Sequence, residues 1–508
     1  LLAFVVSLAA LLYHWYRLAT YWSSRGIPQV PGSFVLGNAR DLWRKQRPRL
    51  FVYRDWADKY GKTYGVREGN DLMLVSSDIN VVQEVFFKQF DNFYGRKLGV
   101  LQNNPDTHPR VNLFDSRGAR WKRLRATASP SFSITSLKKI RPVVEDSVDN
   151  MVKILEAKYA NGQTFNIHQF YMEYTMDTIS RLVMGQKESR YFQNPRVEIA
   201  SNFFLRDFDI PLIYINMVLP FLRPLSLKAL DMFTLELSKP FHKLLHGVQT
   251  TVESRIEKRK ALKSGEMPVV EDFIDLFLGS TEEHDNSEKD DFKLNETHVS
   301  KTLTPTEVLA QALVFLLAGF DTTANALGFT SWMLSRHPEV MQRCQEEVDA
   351  VCLEESISYE NLNELSYLEA TCKETLRFFP IGGFANSRLC MHETEVCGVK
   401  IEKGVYVQVD TMHLHFDKAI WGQDADEFLP ERWLDPERKV PQTAYIPFGA
   451  GPRICVGMRL ALMEEKMALA KVLRKFDILR APGVETLDIQ GSLTLTPMGV
   501  PVRIQKRA

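Results

Sequence analysis

Apolar side chains form an N-terminal run and a long internal run, and both predict helices. The first, from Leu1 to Tyr13, is apolar except for Ser7. A single membrane span needs ~20 residues, and the aromatic and arginine residues that follow suit a cytosolic membrane flank. We therefore expect a membrane anchor over residues 1–22. A cleaved signal peptide is disfavoured because no basic segment precedes the apolar run, and a buried core helix is the remaining alternative.

A segment rich in proline and glycine, GIPQVPGSFVLGN, follows the first helix and cannot continue it. We expect a hinge over 23–38 and one globular domain over 39–508. Apolar and polar residues alternate over 61–77 around Gly69 and Asn70, which predicts a β-hairpin. From there to about residue 275 the pattern is mostly that of amphipathic helices.

The second run predicts one long helix within residues 303–340. Thr304 is a candidate cap, and Pro305 takes the favoured first helical position. The middle of this helix is apolar nearly all round, so it lies either in the protein interior or in lipid. Gln311 and Asp321 would be costly in hydrocarbon. The interior is therefore favoured over a second membrane span.

Composition narrows the class of protein. The chain has 508 residues, 45% of them apolar, and a formal net charge of zero, so it can bury a large core and lacks the basic excess of a nucleic-acid-binding protein. The polar and acidic segment 281–300 predicts an exposed loop. Apolar segments on both sides of it need each other for burial, which favours one large globule.

The cysteines lie in the last third of the chain with no C-x-x-C pair, which indicates reduced intracellular thiols. A metal site was considered at a group of cysteine and histidine residues, but their spacing fits no usual zinc pattern. The members of that group are Cys390, His392, Cys397, His413 and His415. We expect scattered loop residues instead.

A polar turn interrupts the long internal helix. Asp321 and Thr322 lie at its middle, where a carboxylate and a hydroxyl need partners. Gly319 costs a helix interior ~1 kcal/mol relative to alanine, which suggests a flat ligand or a water molecule at that turn. Ala318 and Thr322 share one helix face, so a ligand on Ala318 would come within reach of the Thr322 hydroxyl. A satisfied polar kink is the equal alternative.

The segment PFGAGPRICVGMRLALMEEKMALA places Cys455 between glycines and the start of a helix. Gly449 and Gly451 allow a large planar group to approach the backbone. A helix N-terminus stabilises a thiolate, and Arg453 offers a cation to an anionic group. A small buried cysteine is the ordinary alternative, but the combination indicates a haem with a cysteine ligand.

The residues around Cys455 fit the pattern F-x-x-G-x-R-x-C-x-G, which is filled by Phe448, Gly451, Arg453, Cys455 and Gly457. On this pattern the chain resembles the cytochrome P-450 superfamily of haem-thiolate monooxygenases over nearly its whole length. Motif order is most similar to the microsomal branch around subfamily 3A, thromboxane synthase and invertebrate detoxification members. The resemblance implies a mainly α fold, with small β-sheets and the haem between the long central helix and the cysteine loop.

The resemblance also implies roles for individual residues around a haem b. Cys455 is its axial ligand, and Asp321 and Thr322 deliver protons during dioxygen activation. Glu374 and Arg377 of KETLRFFP form a buried charge network with Arg432 of FLPERW. The remaining residues implied to contact the haem, with the propionate-binding side chains first, are Trp121, Arg125, Arg388, Arg453, Ala318, Phe448, Gly449 and Gly457.

By the same resemblance the protein is a membrane-bound enzyme that inserts one oxygen atom of O2 into a xenobiotic, a fatty acid or a sterol. No nicotinamide or flavin fingerprint is present in the chain, so electrons come from NADPH through a separate cytochrome reductase, with cytochrome b5 as a second donor. A candidate docking face consists of Lys122, Arg123, Lys138 and Lys139, with a solvated charge run as the equal alternative. The implied location is the endoplasmic reticulum membrane, with the catalytic domain on its cytosolic side.

Two other functions are alternatives. A peroxide isomerase of the thromboxane synthase type needs no proton relay, so Asp321 and Thr322 argue against it. A membrane-bound carrier of hydrophobic ligands is disfavoured by the same motifs and by Cys455. The substrate pocket is expected to be mostly apolar, with room near Gly382 and Gly383. By family position its walls come from 98–115, 203–217, 318–322, 381–384 and 495–498.

Overall fold

Helices form most of the chain in this computed structural model, which describes residues 1–159, 162–233, 239–262, 270–279 and 292–507. The helices of the first half are α1 (Leu2–Ala19), α2 (Ala39–Leu42), α3 (Arg49–Tyr60), α4 (Ile79–Gln83), α5 (Gly118–Ala128), α6 (Ile134–Tyr159), α7 (Ile167–Met184), α8 (Pro195–Phe204), α9 (Pro211–Val218), α10 (Arg223–Phe233), α11 (Lys239–Lys260) and α12 (Phe273–Leu278). Those of the second half are α13 (Pro305–Leu334), α14 (Pro338–Val351), α15 (Tyr359–Glu364), α16 (Ser366–Phe378), α17 (Thr411–His415), α18 (Lys418–Trp421) and α19 (Met458–Leu473). The expectation of a mainly α fold is confirmed.

The strands form small sheets at the sides of the helical body. They are β1 (Thr63–Glu68), β2 (Asp71–Ser76), β3 (Phe165–Asn166), β4 (Ser387–Leu389), β5 (Thr394–Val396), β6 (Val399–Ile401), β7 (Tyr406–Val409), β8 (Phe476–Arg480), β9 (Ile489–Gln490), β10 (Thr496–Pro497) and β11 (Pro501–Lys506). The largest sheet has the order β1-β2-β7-β4, and a second has the order β3-β11-β8. β1 and β2 pair antiparallel with Gly69 at a φ of 59° in the turn, so the predicted hairpin is confirmed.

The central helix α13 begins as its sequence predicts. The Thr304 side chain accepts a hydrogen bond from the backbone N–H of Glu307, and the Glu307 carboxylate accepts one from the backbone N–H of Thr304. Such a capping box satisfies two donors that a helix start otherwise leaves free. α13 packs against α7, α16 and α19. It is also long and apolar enough to cross a membrane, but 78% of the relevant window is buried in protein, so the interior placement is confirmed.

Helix α1 contrasts with α13, because none of its residues is buried and it too is long and apolar enough to cross a membrane. It ends at Ala19, before the expected anchor boundary at residue 22. Tyr21 and Trp22 are buried in a core cluster. The Trp22 ring lies directly over Gly65, where an added Cβ would come within 2.0 Å of it. Trp22 therefore belongs to the packed part of the molecule.

The proline- and glycine-rich link over 23–38 is attached to β1. The Arg67 guanidinium donates hydrogen bonds to the carbonyl oxygens of Ser33 at 2.6 Å and Phe34 at 2.8 Å. The backbone N–H of Val30 donates to Gly65 at 3.0 Å. Because these bonds hold the link along the strand, it is fixed against the globular part and does not form a free hinge.

Most of the expected acidic loop over 281–300 lies outside the described residues. Its described end, 292–300, is partly packed rather than fully exposed. Phe292 is buried and its ring lies 4.9 Å from that of Tyr94. The backbone N–H of Leu294 donates to Asp91 at 2.8 Å. The expectation of an exposed loop therefore holds only in part for this end, where Asn295, Glu296, His298 and Ser300 are exposed but Phe292 anchors the start of the segment.

Candidate active site

The thiolate loop, which we define as residues 447–457, leads into α19. The backbone N–H of Cys455 donates to the Phe448 carbonyl at 2.8 Å, which closes the loop on itself. Gly449 and Gly451 have φ values of 77° and 67°, which residues other than glycine rarely adopt. A Cβ on Gly451 would lie 1.9 Å from the Phe86 carbonyl oxygen. Glycine is thus required at 451 for the loop to reach its position.

The Cys455 side chain has solvent-exposed surface, although many protein atoms lie close to its sulfur. Desolvation raises the pKa of its thiol, and the backbone N–H of Gly457, then Arg125 and Arg96, act in the opposite direction. The thiol of Cys455 therefore sits where a positive environment can hold a thiolate.

Four arginines surround the thiolate loop, and we call them the arginine cluster: Arg96, Arg125, Arg388 and Arg453. Three of them donate hydrogen bonds to carbonyl oxygens of the loop. Arg96 donates to Arg453 at 2.9 Å, Arg125 to Ile454 at 2.6 Å and Arg388 to Ala450 at 3.2 Å. The fourth, Arg453, reaches away from the loop and donates to Ser116 at 2.7 Å. These bonds bring segments distant in sequence to one point.

The arginine cluster carries more positive charge than the protein around it neutralises. Burial lowers the pKa of Arg96 to about 10 and lowers those of Arg388 and Arg453 well below the usual value. The carboxylate that faces the cluster is Asp115, and burial raises its pKa to about 6. The buried Nε atoms of Arg96, Arg388 and Arg453 have no hydrogen-bond partner. Unpaired buried donors of one charge require an anionic partner.

This arrangement fits a haem held beside Cys455, since a haem carries two propionate groups. Trp121, which the resemblance also implies at this point, is buried, and the Cζ of Arg453 lies 5.2 Å from the centre of its ring. The sequence did not predict Arg96 as a residue of this site. Its segment, FYGRKLG, has no spacing relation to the cysteine motif, so only the fold brings Arg96 to the loop.

On α13, one turn is open while the helix around it is buried. Ala318 is exposed and Thr322 is half-buried, whereas Leu317, Phe320 and Thr323 are buried. We call residues 318–322 the relay turn. The Thr322 hydroxyl donates to the Ala318 carbonyl at 2.8 Å. The two residues do share one helix face, as the spacing predicts.

The structure indicates a packing role for Gly319, which the sequence did not predict. A Cβ on Gly319 would lie 2.7 Å from the Cδ1 of Ile179 on α7. The glycine therefore allows α7 and α13 to approach closely, which explains it by helix packing, and the interpretation of a ligand or water lying against it stays a prediction. Gly383 is similar, because a Cβ there would lie 2.6 Å from Leu50, whereas nothing lies within 4 Å of one on Gly382. Only Gly382 leaves the expected room.

The Asp321 carboxylate points away from Thr322 and into a polar network. It accepts hydrogen bonds from the Thr494 hydroxyl at 2.8 Å and from Nδ2 of Asn325 at 3.0 Å. The Asn325 Oδ1 lies 2.9 Å from Nε2 of His168. Burial raises the pKa of Asp321 to about 7, and Thr494 and Asn325 oppose this rise. Asp321 is therefore a carboxyl group that holds a proton near neutral pH.

Asn325 and Thr494 were also missed at the sequence level. Asn325 lies four residues after Asp321 on the same helix, and this spacing is a signal that was available. Thr494 offered no such signal, since it comes from a turn near the C-terminus that the fold brings to α13.

Glu374, Arg377 and Arg432, which we call the charged triad, meet with no exposed side-chain surface. The Glu374 carboxylate accepts from Nη2 of Arg377 and from Nε of Arg432, each at 2.8 Å. It also accepts from the indole N–H of Trp433 at 2.9 Å. Nη1 of Arg377 donates to the carbonyls of His415 and Ala425, each at 2.8 Å. The triad thus ties α16 to the segment that precedes the thiolate loop.

The expected pocket walls contribute to one apolar cluster. It contains side chains from four of the five expected segments and from α13 itself. Members of the wall segments are Val100, Phe208, Ile213, Ile381 and Leu495. Met498 is exposed, so the last wall segment contributes through its first residues.

The expected docking face is only partly available. Arg123 is buried and donates to both oxygens of the Glu307 carboxylate at 2.8 Å. Lys122 donates to the Thr297 carbonyl at 2.7 Å. Arg123 is therefore not available for docking, which corrects the expectation for that residue, whereas Lys122 is half-buried. Lys138 and Lys139 are exposed. Over the described ranges, no group of three or more histidine, cysteine or acidic residues could hold a metal ion.

Comparison with known proteins agrees with this geometry. The family model described as "Cytochrome P450" matches residues 28–502. A Caenorhabditis elegans protein named "Putative cytochrome P450 cyp-13B1" is 42% identical over 515 residues, which cover 100% of this chain and 99% of that protein. Another from the same organism, "Putative cytochrome P450 CYP13A10", is 43% identical over 96% of this chain and 95% of its own length. The closer likeness to subfamily 3A stays a prediction.

Proposed function

Because the chain belongs to the cytochrome P450 family and is a haem-thiolate monooxygenase, we propose that it oxidises a lipophilic substrate with electrons that come from NADPH through a separate reductase. The observation that carries this proposal is the arginine cluster around the thiolate loop. It supplies the cations that two propionates need, beside a cysteine free to ligate iron. The haem, when bound, supplies the oxygen chemistry.

Each residue of the site then has a proposed task. Cys455 ligates the iron, and Trp121, Arg125, Arg388 and Arg453 bind the propionates; we add Arg96 to this group. Further contacts with the haem come from Ala318, Phe448, Gly449 and Gly457. Glu374, Arg377 and Arg432 brace the loop from behind. Because the haem supplies the redox chemistry, no side chain is proposed to be oxidised or reduced.

Asp321 holds the proton that the reaction consumes. Its pKa of about 7 means that both protonation states are populated near neutral pH. Thr322 lies on the open side of the helix, so its hydroxyl is the group that contacts the reacting oxygen. Since the Asp321 carboxylate and the Thr322 hydroxyl are not hydrogen-bonded to each other, a water molecule or a side-chain rotation connects them.

Substrate binding is proposed to be driven by apolar burial. Four of the five wall segments contribute aromatic and aliphatic side chains to one cluster, and removing apolar surface from water is favourable by roughly 25 cal/mol per Å². Xenobiotics, fatty acids and sterols all fit such walls. The polar groups near the pocket then decide among these classes.

We propose that α1 anchors the protein in the endoplasmic reticulum membrane, with the catalytic domain over 39–508 on the cytosolic side. A mostly apolar helix of 18 residues, none of them buried, suits this task. The exposed side chains of Phe34, Phe221 and Leu225 offer further apolar contacts. The cytosolic orientation also places the enzyme where NADPH–cytochrome reductase and cytochrome b5 can reach it, and Lys138 and Lys139 are the cations left exposed for docking.

Reconstitution tests the proposal. Purified enzyme in lipid vesicles is mixed with NADPH, a microsomal reductase and a panel of lipophilic compounds, and oxidised product is measured with and without reductase. We expect product only when reductase and NADPH are both present. If the enzyme converts an added hydroperoxide without reductase, and forms no oxidised product with reductase and NADPH, it is an isomerase instead. Binding without any turnover would establish a carrier.

A further inference from the structure

The hydrogen bonds around Asp321 converge on one of its two carboxyl oxygens. Oδ2 accepts from the Thr494 hydroxyl at 2.8 Å and from Nδ2 of Asn325 at 3.0 Å. Within the part of the chain that the structure describes, no group donates to Oδ1. In a protonated carboxyl group the C=O oxygen offers two lone pairs, whereas the O–H oxygen is the donor. Oδ2, which accepts twice, is therefore the C=O oxygen, and the proton lies on Oδ1.

The neighbouring hydroxyl groups fix the direction of these hydrogen bonds. Thr494 has one hydroxyl hydrogen, which it donates to Asp321. In the contact between the hydroxyls of Thr494 and Thr496, at 3.3 Å, Thr496 is therefore the donor. The Thr496 hydroxyl in turn accepts from Nδ2 of Asn325 at 3.3 Å. Both hydrogens of the Asn325 amide nitrogen are thus used, one on Asp321 and one on Thr496.

The orientation of the Asn325 amide identifies the tautomer of His168. The amide oxygen Oδ1 can only accept, and it lies 2.9 Å from Nε2 of His168. Nε2 therefore carries the hydrogen of the imidazole. His168 is the second residue of α7, where the positive end of the helix disfavours a charged ring. Burial lowers the pKa of His168 to about 4, so the ring is neutral at physiological pH.

The His168 ring is held against α13. The residue is only 3% exposed, and a Cβ on Gly328 would lie 3.0 Å from Cδ2 of the ring. The backbone N–H of His168 also donates to the Asn166 side chain at 3.2 Å, which caps α7. If the Asn325 amide turned over, its Nδ2 would meet the N–H of His168, and two donors would face each other. His168 therefore fixes the amide with its nitrogen towards Asp321.

Over the described ranges, no charged side chain shifts the pKa of Asp321. Burial raises this pKa to about 7, and the hydrogen bonds from Thr494 and Asn325 oppose the rise. α16 and α19 also pack against α13, but their buried carboxyl groups, Glu374 and Glu465, bind other partners. The protonation of Asp321 is therefore controlled by burial and by these two donors.

We propose that His168, through Asn325, positions Asp321 as the proton donor, with Thr494 as the second donor to the same carboxyl oxygen. The inference rests on the proposed function and names the residues that regulate its acid. When Oδ1 gives up its proton, the electron pair of the O–H bond stays on the carboxylate, which the two hydrogen bonds at Oδ2 stabilise. They thereby release a proton that burial alone would retain. His168 acts through Asn325 and is a positioning residue.

The test follows the protonation of Asp321 by infrared spectroscopy of the haem-loaded enzyme from about pH 5 to 9. The carbonyl stretch of the protonated carboxyl group is identified by its loss in Asp321→Asn. This subtraction is needed because burial also raises the pKa values of Asp410 and Glu465 to about 7. In the unchanged protein the band should disappear with a midpoint near pH 7. Product per NADPH, measured in parallel with reductase, should fall with the same midpoint.

Loss of a donor should move this midpoint to higher pH, because the carboxylate loses a hydrogen bond. We expect a rise of about one pH unit in Asn325→Leu and in Thr494→Val. In His168→Phe the freed amide can turn over and accept from the carboxyl group, so the midpoint should rise by at least about half a pH unit. His168→Gln places an amide N–H near the position of Nε2 and should restore the midpoint of the unchanged protein. Product per NADPH should follow the band in each variant.

Tyr171→Phe is the matched control. Tyr171 lies three residues after His168 on α7, and its hydroxyl also contacts α13, at the Ser331 hydroxyl 2.7 Å away. We expect this variant to keep the midpoint of the unchanged protein. An unmoved midpoint in His168→Phe or Asn325→Leu, or an equal shift in Tyr171→Phe, would overturn the inference. If His168→Phe does not fold, Asn325→Leu and Thr494→Val still decide, since an unmoved midpoint in either contradicts it.

The infrared midpoint is measured without reductase, so failures of the two proposals can be told apart. Unmoved midpoints in a protein that forms product only with reductase would refute the inference alone. Midpoints that shift as expected in a protein without reductase-dependent turnover would support the positioning of Asp321 and refute the proposed function. A band that shifts while product per NADPH keeps its midpoint would also overturn the inference, because Asp321 would then not supply the proton.

Discussion

The Glu374 carboxylate and the Arg432 guanidinium lie 2.8 Å apart, although 58 positions separate them in the chain. Neither side chain has exposed surface. Their contact, together with Arg377, joins α16 to the segment that leads into the thiolate loop. A buried ion pair of this kind is costly to break, because the remaining partner keeps its charge without compensation.

We expect Glu374→Gln to cost about 3–5 kcal/mol in the free energy of unfolding, because it strands two buried arginines. The variant should also hold haem poorly. Denaturant unfolding and the ratio of haem absorbance to protein absorbance measure the two effects. Glu369→Gln on the same helix is the control, since its side chain is 30% exposed and pairs with Lys373 and Lys466. A Glu374→Gln protein as stable and as haem-rich as the Glu369→Gln protein would contradict a bracing role.

Thr322→Ala should keep haem but uncouple NADPH use from product formation. The Thr322 hydroxyl lies on the open side of the relay turn and donates to a backbone carbonyl of its own helix, so its loss leaves the fold intact. We expect product per NADPH to fall by at least about tenfold, with hydrogen peroxide released instead. Thr322→Ser, which keeps the hydroxyl, should restore coupling. Unchanged coupling in Thr322→Ala would move the relay to another group.

Coupling should also depend on pH through Asp321. Burial raises the pKa of this carboxyl from 3.8 to about 7, so the folded protein keeps a proton that the unfolded chain has already lost. The stabilisation due to this proton is full below about pH 4 and is lost as the pH rises towards 7. The protonated fraction, and with it the proton supply, falls as the pH rises through about 7.

We therefore expect product per NADPH to decline between about pH 6 and 8 in the unchanged protein. Asp321→Asn removes the titrating group, so its coupling should be low and should not change over this range. The measurement is product and NADPH consumption at each pH, with the spectrum recorded to confirm that haem stays bound. An Asp321→Asn protein with the same pH profile as the parent would assign the titration elsewhere.

Removing the anchor tests where the globular part begins. Deletion of residues 1–19 takes away no buried residue, so the shortened protein should fold, bind haem and leave the membrane fraction. Deletion of residues 1–22 also removes Trp22, whose ring is fully buried against Gly65. The loss of a buried tryptophan costs about 3–5 kcal/mol. Equal thermal stability of the two shortened proteins would contradict the boundary at Ala19.

Local sequence patterns predicted much of the fold and the centre of the site. The cap at Thr304 and the apolar periodicity after it located α13, and alternation around Gly69 located the first hairpin, because both are encoded by neighbouring residues. The thiolate loop was recognised from residues within one short segment. Positions that need contacts across the chain were not predicted, such as Arg96 beside Cys455 and Thr494 beside Asp321.

Predicted roles differed from the structure for glycine and arginine, because each of these residue types can serve either packing or binding. Gly319 was assigned to a ligand, but the close approach of α7 explains it. Arg123 was counted as a surface cation, but it is buried against Glu307. The roles of glycine and arginine residues can therefore be assigned only when the fold is known.

The proposed bond between the sulfur of Cys455 and the haem iron is tested by the spectrum of the reduced protein under carbon monoxide. The unchanged protein should absorb near the wavelength that gives the cytochrome P450 family its name, because that band requires a thiolate ligand. Cys455→Ala should lose the band even where some haem stays bound. An unchanged protein without the band, or a Cys455→Ala protein that keeps it, would contradict the assignment of Cys455 and the site built around it.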